Sequence, residues 1–338
     1  MPVNQNLATL SDAAFASAFA IYFIAFVLSI LYYLKAKSAI ELQRELEESE
    51  ALAAKPELVA ATGGNTQVLA PTEIDSLRKK LQHTAARSRK YVNMTQLMVA
   101  LGAMVHAVSI FTRGASAQRF PFGNLFEYIT MITFVAVLVA LFTLRRKELR
   151  PVWPWVLLPI LAMLFAGGRN LYTDSAPVIP ALQSIWLPIH VSTVSIGASI
   201  GLISGMASVL YLLRMHQPKG EEHGFWGKLA LPLPHAQVLD RIAYKTAVVC
   251  VPVFGLGVIL GAIWAESAWG RPWGWDPKET ISFVTWILYA AYLHARATLG
   301  WRSRGAAWIN IIAFGTMVFN LFFINLVVSG LHSYAGLN

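Results

Sequence analysis

An all-α, polytopic membrane protein of eight spans is the fold class this sequence predicts, and three observations predict it. Hydrophobic residues make up 56% of the 338-residue chain and charged residues only 13%, about half the charged share of a soluble domain. Several apolar runs reach eighteen residues or more, enough to cross a bilayer as helices. The basic residues behind the formal charge of +9 fall between those runs. That is the signature of cytoplasmic loops, not of a nucleic-acid surface. Length therefore counts helices here, not globular domains.

The first span covers roughly 13–34 within a segment 1–35. The opening MPVNQNLATLSD lacks a basic n-region and a cleavage site, so this span reads as a retained helix. Residues 36–90 are a polar arm unlike the rest. KSAIELQRELEESEALAAK reads as a charged, solvated helix and PELVAATGGNTQVLAPTE as a small-residue linker. Leu77 to Lys90, ending RSRK, reads as a basic helix leading into the next span. The arm carries no catalytic pattern. The remainder, 91–338, holds spans at about 91–111, 121–144, 152–167, 186–213, 245–263, 280–297 and 307–330. The segments 35–90, 145–150, 214–245 and 296–304 are the basic ones. Placing them in the cytoplasm puts both termini, and the loops 112–120, 168–185 and 264–279, on the outer face.

One outer loop stands apart. WAESAWGRPWGWDPKE, 264–279, holds Trp264, Trp269, Trp273 and Trp275, four of the chain's eleven tryptophans. Gly270, Pro272, Gly274 and Pro277 prevent it from being a plain helix. Interfacial anchoring explains one or two tryptophans at a helix end, but not this density with acids and bases threaded through it. A rigid aromatic shelf beside Arg271, Asp276, Lys278 and Glu279 suits a large flat amphiphile. Asp276-Pro277-Lys278-Glu279 also matches a helix start, with Asp as N-cap, Pro first and Glu third. This leaves Lys278 and Arg271 to meet carboxylates such as haem propionates.

Topology sorts the eight histidines. His83, His216, His223 and His235 lie in basic loops without ligand-like spacing, and His106 reads as a polar residue between helices. His190 opens the fifth span and His332 follows the eighth, both at the level of the tryptophans. Two neutral imidazoles from opposite sides are the axial pair of an iron porphyrin. His294 lies in the seventh span, fifteen residues beyond Glu279 and hence roughly 22 Å further along a helix. An ionisable residue in a span is a functional candidate by default, although Arg296 nearby keeps snorkelling open.

The remaining signals are structural or negative. PFGNLFEYI at 121–129 reads as a helix start capped by Asn124, with Glu127 third. The small-residue run Ser192 to Ser208 reads as close helix packing. The single cysteine, Cys250, excludes an internal disulfide or a CxxC pair. No Walker loop, dinucleotide fingerprint, HExxH or nucleophile elbow is present.

With the tryptophan stretch, its flanking histidines and this topology, the chain from about Tyr91 onward resembles the haem-handling membrane proteins of cytochrome c maturation. WAESAWGRPWGWDPKE is similar to their tryptophan-rich WWD signature. The length, eight spans and late signature resemble the CcsA/ResC family of System II, also called CcsB. PFGNLFEYI is similar to a recurring segment of that family, and the arm 36–90 lies outside the resemblance.

The resemblance implies haem b as substrate and ligand, with His190 and His332 as outer-face haem ligands and His294 as the intramembrane histidine near which haem enters. It implies a cytochrome c haem lyase or synthase of the plasma membrane that presents haem for thioether attachment to the CxxCH of an apocytochrome c. A separate ResB-like membrane subunit is the implied partner, with a thiol reductant protein a further candidate. Two other readings stay open: a haem carrier or exporter without a catalytic role, and a transporter or quinone-binding subunit whose tryptophans only anchor the bundle.

Overall fold

The computed structural model describes residues 3–54, 69–298 and 304–332. Among them every regular element is helical. The helices are α1 (Gln5–Ala54), α2 (Pro71–Ala117), α3 (Leu125–Thr143), α4 (Trp153–Asn170), α5 (Trp186–His216), the short α6 (Gly224–Ala230), α7 (Ala236–Trp269), α8 (Pro277–Ala297) and α9 (Arg304–Phe319). A π turn, Asn320–Ile324, prolongs α9.

Among the described residues, seven helices are long and apolar enough to cross a membrane. The eighth expected span is α8. It is 21 residues long but is not among the seven, because Lys278, Glu279 and Arg296 make it more polar. It packs against α7 and α9. The last helix also stops short of the expected 330, since the chain leaves helix after the residues that follow the π turn.

The arm is not an independent unit. Helix α1 runs unbroken from the first span into the acidic segment, and α2 runs from the basic segment into the second span. They pack along each other through small and medium residues such as Ala18, Ala25, Leu42, Leu46, Val92 and Val99, all buried. Arg44 ties this pair to the rest by a 2.8 Å contact with Glu222. Residues 56–68 of the expected linker lie outside the described residues, as do 299–303 of the last basic loop and 333–338 of the tail. The linker's last three residues, Pro71 to Glu73, already belong to α2.

Packing inside the bundle follows the small residues of α5. A Cβ on Gly197 would come within 2.8 Å of the Phe254 backbone, one on Gly201 within 2.7 Å of the Tyr289 hydroxyl, and one on Gly205 within 2.5 Å of Phe314. The run at 192–208 is therefore the seam on which α7, α8 and α9 close, as the spacing predicts. Polar side chains add to it: Asn310 donates to Ser208 Oγ (2.8 Å) and Ser204 Oγ (2.9 Å). At the basic end, buried Arg214 bonds the carbonyls of Gln217 and Leu233 and the Glu222 carboxylate, and so folds the 217–235 connection onto the bundle. His106 is a buried interhelical residue, as expected, between Tyr22 and Phe134.

Candidate functional site

The site lies at the end of the bundle where α3 and α8 begin and α7 ends. Helix α7 stops because Gly270 takes up a left-handed conformation (φ 68°), which glycine adopts without steric cost. Helix α8 starts as the sequence predicts. Asp276 accepts from the Lys278 amide at 3.1 Å, and Glu279 reaches back to the Asp276 amide at 3.1 Å. The Glu279 carboxylate also accepts from the Gly274 amide at 2.9 Å, so one capping box fixes the loop that carries the tryptophans.

Asp276 does more than cap. Its Oδ1 accepts from His332 Nδ1 at 2.8 Å and its Oδ2 from the Leu331 amide at 2.8 Å. This brings the turn after the last helix against the start of α8. Gly330 makes the approach close, since a Cβ there would fall 2.6 Å from Asp276 Oδ2. Burial alone would raise the Asp276 pKa; the His332 ring and the two amides outweigh it and hold the carboxyl at about 2. Burial lowers the His332 pKa despite the carboxylate beside it. In this pair the Asp276 carboxylate accepts and the His332 Nδ1–H donates.

His190 is held in a different way. It sits in the first turns of α5 and its Nδ1 bonds the Gly257 carbonyl of α7 at 2.8 Å. A Cβ on Gly261 would lie 2.6 Å from the imidazole, and one on Gly257 would lie 2.6 Å from Val194. Two glycines four residues apart thus open a slot in α7 for the ring. Neither histidine's Nε2 has a hydrogen-bond partner among the described residues.

Both rings line one cavity, with Trp264, Trp273, Lys278 and Glu279 from the tryptophan stretch. Trp264 is buried and touches both imidazoles: it stacks on His190 with centroids 6.0 Å apart and meets His332 edge-on at 5.7 Å. Trp269 meets His332 at 4.9 Å. The cavity is small, about 140 Å³. Small-molecule sites usually begin near ~300 Å³, so a porphyrin-sized plate enters only if one wall moves.

Several expected residues sit elsewhere or do something else. Trp275 is 68% exposed and stands outside the cavity lining, with a left-handed backbone (φ 56°); its ring meets only the edge of Trp273 at 5.7 Å. Arg271 is paired with Glu279 at 3.4 Å, and its guanidinium passes over the Cα of Gly274. It braces the loop. Lys278 lines the cavity, and its Nζ donates to Asn325 Oδ1 at 2.6 Å. No carboxylate pairs with it among the described residues. His294 is exposed in the last turn of α8, at the opposite end of that helix.

Sequence reasoning missed part of the wall. Asn124 caps α3 as expected, accepting from the Glu127 amide at 2.9 Å. The same segment also lines the cavity through Phe122, Asn124, Leu125 and Tyr128. Glu127 is buried between Arg113 (3.1 Å) and Arg119 (2.7 Å), pinning this start of α3 to the end of α2. The glycine slot was missed too, although Gly257 and Gly261 show the four-residue spacing that marks close packing in α5.

The profile of the cytochrome C assembly protein family matches residues 91–332. The chain belongs to that family. Curated relatives of this assembly protein include the cytochrome c biogenesis protein CcsA of Guillardia theta, 31% identical over 253 residues, covering 70% of this chain and 84% of the relative. CcsA of Prochlorococcus marinus (strain MIT 9312) is 31% identical over 270 residues, covering 74% and 87%. CcsA of Chlamydomonas reinhardtii is 29% identical over 256 residues, covering 74% and 70%. Among solved structures, the cytochrome c heme lyase CcmF superposes with a TM-score of 0.59 at 15% identity, over 100% of this chain and 49% of CcmF. The assembly protein thus shares its fold with about half of that larger chain. It is a multi-pass membrane protein of cytochrome c biogenesis of the CcsA type, and the matched region leaves the arm outside, as the resemblance did.

Proposed function

We propose that the chain is the haem-handling subunit of a cytochrome c synthase. It holds haem b between His190 and His332 at the outer end of the bundle and presents it to the CxxCH of an apocytochrome c. The observation that carries this reading is the shared anchoring of the two imidazoles. Each has Nδ1 tied to protein, one to a backbone carbonyl and one to a carboxylate, which fixes the ring and leaves Nε2 for a metal. Both rings border one cavity roofed by indoles.

The protein's own groups then have separate tasks. Trp264 and Trp273 offer the porphyrin flat apolar surface, and Trp269 packs edge-on against His332. Lys278, a half-buried cation that forms no ion pair among the described residues, is the group placed to take a propionate, while Arg271 keeps the loop in shape. Haem supplies an iron centre and the vinyl groups to which the substrate's thiols add. The chain contributes position and a fixed orientation. His294, exposed at the far end of α8, is the residue near which haem enters, with a second ligand supplied by a ResB-like partner in the plasma membrane.

Absorption spectra of the detergent-purified protein, made with its partner and ample haem, test this. A low-spin bis-histidine spectrum that disappears in His190→Ala/His332→Ala is expected. Haem-free wild-type protein would overturn the reading. A haem-loaded protein that forms no thioether product with apocytochrome in the reconstituted pair would leave a carrier rather than a synthase subunit.

A further inference from the structure

We propose that His332 is the ligand that gives way to the histidine of the incoming cytochrome, while His190 stays on the iron. The inference rests on the haem-attachment reading above and goes beyond it by assigning different roles to the two ligands. Exchange at one face of a haem has two geometric requirements. The leaving imidazole must withdraw along the iron–nitrogen axis, and the entering one must reach the same position.

His190 meets neither. Its ring lies in the slot between α5 and α7, where even one methyl group on Gly261 would come within 2.6 Å of it. Val194 closes the slot against Gly257, and Trp264 lies parallel to the ring at an interplanar angle of 7°. Withdrawal would require two membrane-spanning helices to part, and a substrate histidine would have to enter from between them.

His332 meets both. It lies in the turn after the last helix, where movement breaks no helical hydrogen bond. Leu331 beside it is 43% exposed, so this turn is at the surface. The ties of this turn to the bundle include the two hydrogen bonds to Asp276 and edge contacts with Trp264 and Trp269. The same turn is the wall of the small cavity best able to move aside for a porphyrin. Asp276 is thus a latch. Its ionised carboxylate holds His332 in place by a charge-assisted hydrogen bond until a competing ligand arrives.

The exchange is balanced without an oxidant or a reductant. The iron–Nε2 bond to His332 breaks with its electron pair returning to that ring, and the Nε2 pair of the substrate histidine forms the new bond. Each imidazole keeps its Nδ1 proton throughout.

The test uses the haem-loaded complex with its partner and a synthetic SxxSH peptide, in which serines replace the reacting cysteines so that only ligand exchange occurs. Free imidazole should restore the low-spin spectrum in both His190→Gly and His332→Gly. The peptide should restore it in His332→Gly and not in His190→Gly. The reverse pattern, or equal restoration in both, would overturn the proposal. Failure of imidazole in both variants, together with a haem-free wild type, would remove the liganding reading itself. In an otherwise native site, Asp276→Asn keeps a residue able to cap α8 and removes the charge. Peptide exchange should then be about tenfold faster, the effect of losing roughly one charge-assisted contribution; an unchanged rate would count against the latch.

Discussion

Asp276 and His332, 56 residues apart in sequence, are joined by a 2.8 Å hydrogen bond from imidazole Nδ1 to carboxylate Oδ1. Asp276 is also the N-cap of α8, so the start of one helix and the turn after another depend on one carboxylate. The two tasks can be separated by substitution. Asp276→Ala removes the cap and the tie together, and loss of a cap costs about 0.5–2 kcal/mol. Asp276→Asn keeps the cap, so its thermal midpoint in detergent should stay within a few degrees of wild type while that of the alanine variant falls.

The pH dependence of this pair has a definite sign. The His332 pKa is lowered by burial below the ordinary value of 6.5, and Asp276 is held at about 2 against 3.8. Both shifts favour the deprotonated form in the folded protein. Each therefore contributes stability that is present above the unfolded pKa and is lost as pH falls through the folded one. His332 acts first, below about pH 6.5, and Asp276 between roughly pH 4 and 2. Thermal stability should fall on acidification below pH 6.5 in wild type, and less so in His332→Gln. Parallel curves for the two proteins would show that His332 is not the group responsible.

Much of this arrangement was legible in the sequence, and the reason differs from part to part. The capped start of α8 was legible because Asp-Pro-Lys-Glu specifies it locally. The joint placement of His190 and His332 followed from topology, since span ends at one membrane face lie at one depth. The link between Asp276 and His332 was not legible, because it depends on where the chain returns after α9. The outward position of Trp275 was not legible for a related reason. Composition shows that an indole is in the loop, but the left-handed backbone at φ 56° turns it away from the cavity. The span count was ambiguous where polar and apolar residues alternate: α8 has the length of a span but carries charges at both ends.

Gly261 gives a prediction opposite to helix propensity. Glycine to alanine inside a helix ordinarily stabilises by about 0.5–1 kcal/mol. At Gly261 the added methyl falls 2.6 Å from the His190 ring, and such overpacking costs about 1–3 kcal/mol. Gly315 in α9 has nothing within 4 Å of the same added atom and is the control. Gly261→Ala should lower the thermal midpoint and disturb the haem spectrum, while Gly315→Ala should leave both unchanged or raise the midpoint. A silent Gly261→Ala would show that the slot does not set the position of His190.

Lys278 and Arg271 are both cations of the tryptophan stretch, and their surroundings separate them. Arg271 is 31% exposed and already paired with Glu279, and pairs of that kind contribute about 0–1 kcal/mol. Lys278 has an amide oxygen, Asn325 Oδ1, as its hydrogen-bond partner and lies over the Tyr128 ring. Lys278→Met should therefore speed haem loss to a haem-scavenging globin by about tenfold or more, in line with removal of a charge-assisted contact. Arg271→Lys should change that rate little and act mainly on loop stability. Equal effects of the two substitutions on haem loss would place both cations at the porphyrin.

Trp275 is the remaining indole whose part in the shelf can be decided. A left-handed backbone costs an ordinary L-residue about 1–2 kcal/mol, and asparagine adopts it more readily. Trp275→Asn relieves that strain and gives up an edge contact with Trp273, of the order of 0.5–1.5 kcal/mol for a well-formed aromatic pair and less for a ring that is 68% exposed. The two terms nearly cancel, so stability should remain within about 1 kcal/mol of wild type. Haem retention should also be unchanged, because the ring lies outside the cavity lining. Trp273→Asn, by contrast, removes a lining residue and its contact with Phe283, and haem retention should fall. If Trp275→Asn lost haem as readily as Trp273→Asn, the loop would have to turn Trp275 inward when haem binds, and the shelf would include all four tryptophans.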